Sequence, residues 1–281
     1  MVRFGIGVTP RVAVIGDVHG QLAALRYELV RLGADPHTGD LPDDLTVVQV
    51  GDIVHRGPHS GGVVMLIDRY LREQPGRWIQ LVGNHEAFYL GDRSFVWTDR
   101  VDGDTATTVQ RWWAEGSMHV AAALPTTVGD YLVTHAGLTA GFWRAALDMP
   151  TSAANAATAL NRLGAGGARK VFRPGAMLGR RRSGSAGPVW ADAADELVPS
   201  WFQAQMPFSQ VHGHCTVTDW DTGLPRGSDE VKANTITNPI ARHEVTTLRG
   251  GRIIGIDPCH GAAAAPLWAA WEAALVGPVI T

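Results

Sequence analysis

Short apolar runs rich in β-branched residues alternate, along the first third of the chain, with longer stretches whose apolar positions recur at helical spacing. Val12 to Ile15 is such a run, ended by Gly16, and it predicts a buried strand. Leu22, Leu25, Leu29 and Leu32 then line one face of a helix over 21–32, stopped by Gly33. Thr46 to Val50 predicts a second strand, Gly61 to Glu73 a helix ended by Gln74-Pro75-Gly76, and Trp78 to Val82 a third strand. This strand–helix rhythm is that of a parallel sheet with helices on its faces. Further on, Tyr131 to Thr134 and Ser209 to Val211 read as strands. Val245 to Leu248 and Arg252 to Ile256 read as a hairpin turned at Gly250-Gly251. The later strands lie close together, which predicts a second, mixed or antiparallel sheet packed on the first. The stretches Asp99 to Thr108 and Asp221 to Pro239 read as polar insertions. The alanine-rich tail from Gly261 to Thr281 reads as a helix packed on the domain. Pro266, Glu272 and Pro278 interrupt it, and a membrane span wants about 20 predominantly apolar residues.

Composition narrows the class. The 281 residues are 45% apolar and include ten tryptophans, enough for a large core, and are expected to form a single domain over 1–281. A net charge of −3 gives no reason to expect nucleic acid as a partner. Cys215 and Cys259 are the only cysteines, too few for a disulfide framework, and fit a reduced, cytoplasmic protein. The first residues, Met1-Val2-Arg3-Phe4, lack the apolar stretch of a secretory signal, and no membrane partner is expected.

The chemistry sits in polar blocks placed just after apolar runs: Gly16-Asp17-Val18-His19-Gly20, Gly51-Asp52-Ile53-Val54-His55-Arg56-Gly57, Gly83-Asn84-His85-Glu86, His135-Ala136-Gly137 and His212-Gly213-His214. Side chains that end neighbouring strands converge on one crevice. Asp17 and His19, one residue apart in an extended segment, fall on one side. Taken singly, each block has a plainer reading: a helix cap at Asp17, a turn aspartate at Asp52, a helix start at Glu86, a buried imidazole at His135. Together they supply carboxylate and amide oxygens with imidazole nitrogens, a donor set that suits divalent transition metals. A two-metal hydrolytic centre is the expectation.

These blocks resemble the GD-x-HG, GD-x-x-DRG, GNHE, H(G/A)G and late GH motifs of calcineurin-like metallophosphoesterases, and of their phosphoprotein phosphatase branch in particular. Pro188-Val189-Trp190-Ala191-Asp192 is similar to the family's W-S-D segment, and Ile254-Gly255-Ile256-Asp257 to its last strand. The resemblance implies the metallo-dependent phosphatase fold, a four-layer α-β-β-α sandwich of two mixed sheets. It implies one metal on Asp17, His19 and bridging Asp52, and a second on Asp52, Asn84, His135 and His214. The ions would be two divalent cations, Mn2+ foremost, with Fe or Zn as alternatives. It implies that a water activated between the metals attacks phosphorus, with Asp52, His85 and Arg56 as catalytic residues. His85 would protonate the leaving oxygen and Arg56 would grip the phosphoryl group with its planar fork. Glu86 and the absence of a second histidine after His214 fit the phosphoprotein phosphatase branch, and His212 stays a nearby polar residue.

The chain departs from that pattern at His55, where the family has an aspartate that hydrogen-bonds the catalytic histidine. The implied function is a serine/threonine phosphatase-like phosphomonoesterase acting on phosphorylated protein or peptide. The alternative is a diadenosine polyphosphate hydrolase acting on a small phosphate-containing substrate. A metal-binding regulatory module of weak activity is the third reading, and His55 is what points to it. Arg169, Lys170, Arg173, Arg180, Arg181 and Arg182 form a basic stretch that reads either as a solvated loop or as a cleft rim for polyanions.

Overall fold

The computed structural model describes residues 9–167, 169–178, 181–261 and 266–281. In chain order the elements are β1 (Arg11–Ile15), α1 (Leu22–Arg31), β2 (Leu45–Gln49), α2 (Ser60–Glu73), β3 (Trp78–Leu81), α3 (Asn84–Ala87), α4 (Gly103–Ala114) and β4 (Met118–His119). There follow β5 (Ala121–Thr126), β6 (Gly129–Thr134), α5 (Ala140–Leu147), α6 (Ala153–Ala165), α7 (Val198–Ser200) and β7 (Ser209–His212). The remainder comprises β8 (Thr218–Asp219), β9 (Leu224–Pro225), α8 (Asp229–Asn234), β10 (Thr235–Asn238), β11 (His243–Leu248), β12 (Gly251–Gly255) and β13 (Trp271–Ala274).

One sheet has the order β13-β1-β2-β3-β4, with the four strands from β1 onward parallel and β13 antiparallel at its edge. The other has the order β10-β11-β12-β7-β6-β5, parallel only where β7 meets β12 and β6. Alternation along the strands builds the layers. Val12 and Val14 of β1 face Val133, Val211 and Ile254 of the second sheet, forming the layer between sheets. Ala13 and Ile15 face outward into the cluster holding Leu25 and Leu29 of α1 and Ile67 and Tyr70 of α2. Helix α6 covers β5 and β6 on the opposite outer face. The result is the four-layer α-β-β-α sandwich of two mixed sheets.

Two expectations are corrected. The tail is not a helix over its described part, 266–281: Trp271–Ala274 pairs antiparallel with β1, from Arg11↔Ala274 to Val14↔Trp271, and 262–265 lie outside the described residues. Bridges from Leu275 to Thr126 and from Ile280 to Ala123 tie the tail to the edge of the second sheet as well. An open sheet edge outweighs the helix preference of alanine. Nor are the two polar stretches plain insertions. The Asp102 side chain accepts the Thr105 amide hydrogen at 2.8 Å and caps α4, which buries Val109 and Trp112. The later stretch contains β9, α8 and β10. Among the described residues, no helix is long and apolar enough to cross a membrane.

Candidate active site

Strands β1, β2 and β3 end beside β6 and β7, so the loops carrying Asp17, Asp52, Asn84, His135 and His214 open on one place from two sheets. The turns that deliver them are tight. His19, Asp52, His55, Arg56 and His214 all have positive φ, between 45° and 68°, a conformation that side chains other than glycine adopt at a cost. The glycines between them are needed for close approach. A Cβ on Gly83 would run into Asp52 Oδ1, and one on Gly213 into Asp17 Oδ1.

Asp52 stands at the centre. Its Oδ1 lies 3.4 Å from His135 Nε2, while its Oδ2 lies 3.8 Å from His19 Nε2 and 3.6 Å from His85 Nε2. One carboxylate thus presents an oxygen to each of two groups of donors. On the Oδ1 side, Asn84 Oδ1 is 2.8 Å from His135 Nε2 and 2.9 Å from His214 Nδ1, and the two histidine nitrogens are 3.2 Å apart. On the other side stand His19 and His85, with Asp17 Oδ2 3.8 Å from His19 Nε2. Asp17 accepts the His214 backbone N–H at 2.9 Å, which joins the two groups. Donor atoms of His19, Asp52 and His85, and of Asp52, His135 and His214, lie within 4.8 Å of one another. The first trio contains His85, which the sequence reading cast as a proton donor, and leaves Asp17 just outside.

This set fits divalent cations. Burial and mutual repulsion push the carboxyls of Asp17 and Asp52 well above their ordinary range, with Asp257 and Glu86 as the charged neighbours. Burial likewise drives His19, His85 and His214 well below 6.5, and His135 to about 3, so the four rings are neutral. His85 Nε2 and His214 Nε2 have no hydrogen-bond partner among the described residues. Buried carboxylates beside unpartnered ring nitrogens are costly without a cation, and a bound one would draw the carboxyls back down and keep the imidazoles neutral.

Arg56 is exposed at the mouth of the site, and its charge acts on Asp17, Asp52, His19, His85, His135 and His214. It lines an open cleft of about 340 Å³ with His214, Thr216, Trp220, Arg226 and Asp257. Its backbone N–H donates to Asp99 Oδ2 at 2.9 Å, which fixes the turn. The Trp97 ring stacks on His85 with centroids 3.4 Å apart, closing that side to water. Trp190, from the segment 188–192, meets the His214 ring edge-on at 5.8 Å, and Pro188 accepts the Ala136 N–H.

Sequence reasoning missed several members. Glu86 lies in the first turn of α3, as a residue at a helix start, but its carboxylate also accepts the backbone N–H groups of Gly83, Asp52 and Ile53 at 2.7–3.0 Å and so holds the Asp52 loop. Trp97 and Tyr89 reach His55 and His85 only in three dimensions, and no short spacing in the sequence marks them; Asp257, seen in the sequence only as the end of a strand, adds its charge to Asp17 and Asp52. His212 is buried, with Nδ1 2.9 Å from the Gly213 carbonyl, outside both donor groups. Of the basic stretch, Arg182 pairs with Asp195 at 2.8 Å, and Arg169, Lys170, Arg173 and Arg181 are exposed. None of these five lines the cleft of Arg56. Arg180 lies outside the described residues.

The sequence model of calcineurin-like phosphoesterases matches residues 10–163. A serine/threonine-protein phosphatase of Caenorhabditis elegans is 33% identical over 82 residues, covering 29% of this chain and 16% of its own length. The asymmetrical bis(5'-nucleosyl)-tetraphosphatase PrpE of Bacillus thuringiensis is 28% identical over 120 residues, 42% of this chain and 40% of its own. The chain thus spans less than half the length of either relative. Among solved structures, the cold-active protein-tyrosine phosphatase of a Shewanella species is 18% identical, with a TM-score of 0.48, over 89% of this chain and 71% of that one.

Proposed function

This chain belongs to the calcineurin-like phosphoesterase family, and on that premise we propose that it is a dinuclear-metal phosphoester hydrolase, a serine/threonine phosphatase-like phosphomonoesterase. The observation that carries the reading is the division of Asp52, with one oxygen toward His135 and the other toward His19 and His85. Asp17, His19 and Asp52 would hold one cation, and Asp52, Asn84, His135 and His214 the other, with Mn2+ as the proposed ion. When bound, such a pair supplies charge neutralisation for the phosphoryl group and water of lowered pKa.

The chain's own residues do the rest. Arg56, exposed beside His214, grips phosphoryl oxygens with a planar fork that orients the phosphorus. Asp52 keeps the two donor groups in fixed register. His85, buried with Nε2 turned to Asp52, gives a proton to the leaving oxygen. Trp97 excludes water from that side of the ring. The free thiols of Cys215 and Cys259 accord with a cytoplasmic protein.

A second reading, hydrolysis of a diadenosine polyphosphate, draws on the likeness to the PrpE tetraphosphatases. Turnover of a phosphoserine peptide, 4-nitrophenyl phosphate and diadenosine tetraphosphate with Mn2+ separates the two. The first reading expects the monoesters to lead and Asp52→Asn to abolish turnover. Preference for the dinucleotide installs the second reading. No hydrolysis of any of them leaves only a metal-binding regulatory module.

A further inference from the structure

His85 is joined to a chain of hydrogen bonds that an aspartate at position 55 could not form. The Val101 backbone N–H donates to Tyr89 Oη at 3.0 Å, Tyr89 Oη lies 2.6 Å from His55 Nε2, and His55 Nδ1 lies 2.9 Å from His85 Nδ1. At the far end His85 Nε2 has no partner among the described residues and faces Asp52 Oδ2 at 3.6 Å.

The direction of these bonds can be worked out from the donor inventory. Tyr89 Oη already accepts from Val101, so its own hydrogen needs an acceptor, and His55 Nε2 is the one at hand. His55 then carries its hydrogen on Nδ1. Two Nδ1 atoms at 2.9 Å share a single hydrogen, so His85 Nδ1 accepts, and the hydrogen of neutral His85 sits on Nε2. Burial holds His55 neutral, at about 4, despite the nearby Asp99; Arg100 and Arg56 push the same way as burial. A carboxylate in place of His55 could only accept, and would draw the hydrogen of neutral His85 to Nδ1, away from the site.

We infer that Tyr89 is a positioning residue: acting through His55, it fixes the hydrogen of His85 on the nitrogen that faces the leaving-group oxygen. The inference rests on the reading of His85 as proton donor. As water bonds to phosphorus, one of its protons passing to solvent, the bond from phosphorus to the leaving oxygen breaks; that bond's electron pair stays on the leaving oxygen, which takes the proton from His85 Nε2. His85 Nδ1 takes the proton of His55 Nδ1, and His55 Nε2 takes that of Tyr89 Oη. The phenolate left behind keeps the Val101 N–H and is reprotonated by solvent at the partly exposed ring.

Phenyl phosphate and 4-nitrophenyl phosphate test this, because 4-nitrophenolate departs without a proton and phenolate benefits from one. Tyr89→Phe should cost about tenfold more in kcat on the phenyl than on the nitrophenyl ester, a fraction of what general acids contribute. Adding His55→Asp to Tyr89→Phe should restore phenyl turnover, since a carboxylate needs no phenol and favours the His85 imidazolium, which carries a hydrogen on Nε2 as well as on Nδ1. Nitrogen-15 NMR of the metal-free wild-type chain should show the His85 hydrogen on Nε2, and in Tyr89→Phe it should shift toward Nδ1. Equal losses on both esters, or a wild-type hydrogen on Nδ1, overturn the inference. His85→Asn separates the two ideas: equal losses there remove His85 as the acid altogether. Selective loss in His85→Asn without selective loss in Tyr89→Phe removes only Tyr89.

Discussion

Both ring nitrogens of His260 lack a hydrogen-bond partner among the described residues, although the side chain is fully buried against Trp268. Burial and the charges of Arg242 and Arg56 push its pKa from 6.5 down to about 4. The unfolded chain therefore takes up this proton first as pH falls, so the native state loses stability from about pH 6.5 down to about pH 4. At pH 5 the loss amounts to about 2 kcal/mol for this one group, at 1.36 kcal/mol per pH unit. His260→Leu keeps an apolar contact with Trp268 and removes the titration. Urea denaturation of the metal-free protein at pH 7 and pH 5 should show a smaller drop for the variant by about that amount. Parallel drops would mean that His260 is already charged or solvated in the native state.

Buried glutamates organise the loops at the scale of elements. Glu28 accepts the Ala270 N–H at 2.6 Å across 242 positions, Glu196 accepts those of Ala176, Ser183 and Asp192, and Glu244 those of Val217 and Thr218. Glu86 does the same for the Asp52 loop, the one on which both donor groups depend. Glu86→Ala would take the acceptor from four buried amides, those of Asp52, Ile53, Val54 and Gly83, and hydrogen bonds to a charged group each contribute about 1.5–3 kcal/mol. We expect a loss of about 3 kcal/mol or more in urea denaturation, and metal affinity reduced along with it. A loss below about 1 kcal/mol would show that water replaces the carboxylate. Such links explain what the sequence could and could not reveal. Strands β1 to β3 and the residues after them were legible because each is a short apolar-rich run closed by glycine and a polar block. β13 was not, because Trp271–Ala274 is alanine-rich and becomes a strand only where β1 offers an edge. Glu86 was legible as a helix start, whereas its hold on residues 33 and 34 positions upstream exists only in the fold. His55 stood out as a departure, but its partner Tyr89 carries no motif of its own.

At the scale of the molecule, loops from the two packed sheets bring buried carboxyls and neutral imidazoles into one cluster. Asp17 and Asp52 come from one sheet, His135 and His214 from the other, and Asp257 follows β12. The raised carboxyls of Asp17 and Asp52 mean that the metal-free native state holds protons more tightly there than the unfolded chain. Its stability from these groups is present at low pH and is lost as pH rises through their raised values, so at pH 7 they weigh against folding. Two cations would turn that penalty into attraction and tie the loops of one sheet to those of the other. A ligand that binds only the native state adds about 2.7 kcal/mol at 100 times its Kd. Asp52→Asn should then have opposite effects in two conditions. With chelator at pH 7 the variant should melt above wild type, because the buried charge is gone while the bond from the His85 N–H to Oδ1 is kept. With Mn2+ the order should reverse, because wild type gains the binding energy and the variant loses the oxygen shared by both donor groups. Melting curves of the two proteins with and without Mn2+ decide the matter. If wild type melts at the same temperature in chelator and in Mn2+, the cluster is held by protons alone and the dinuclear centre is lost from the account.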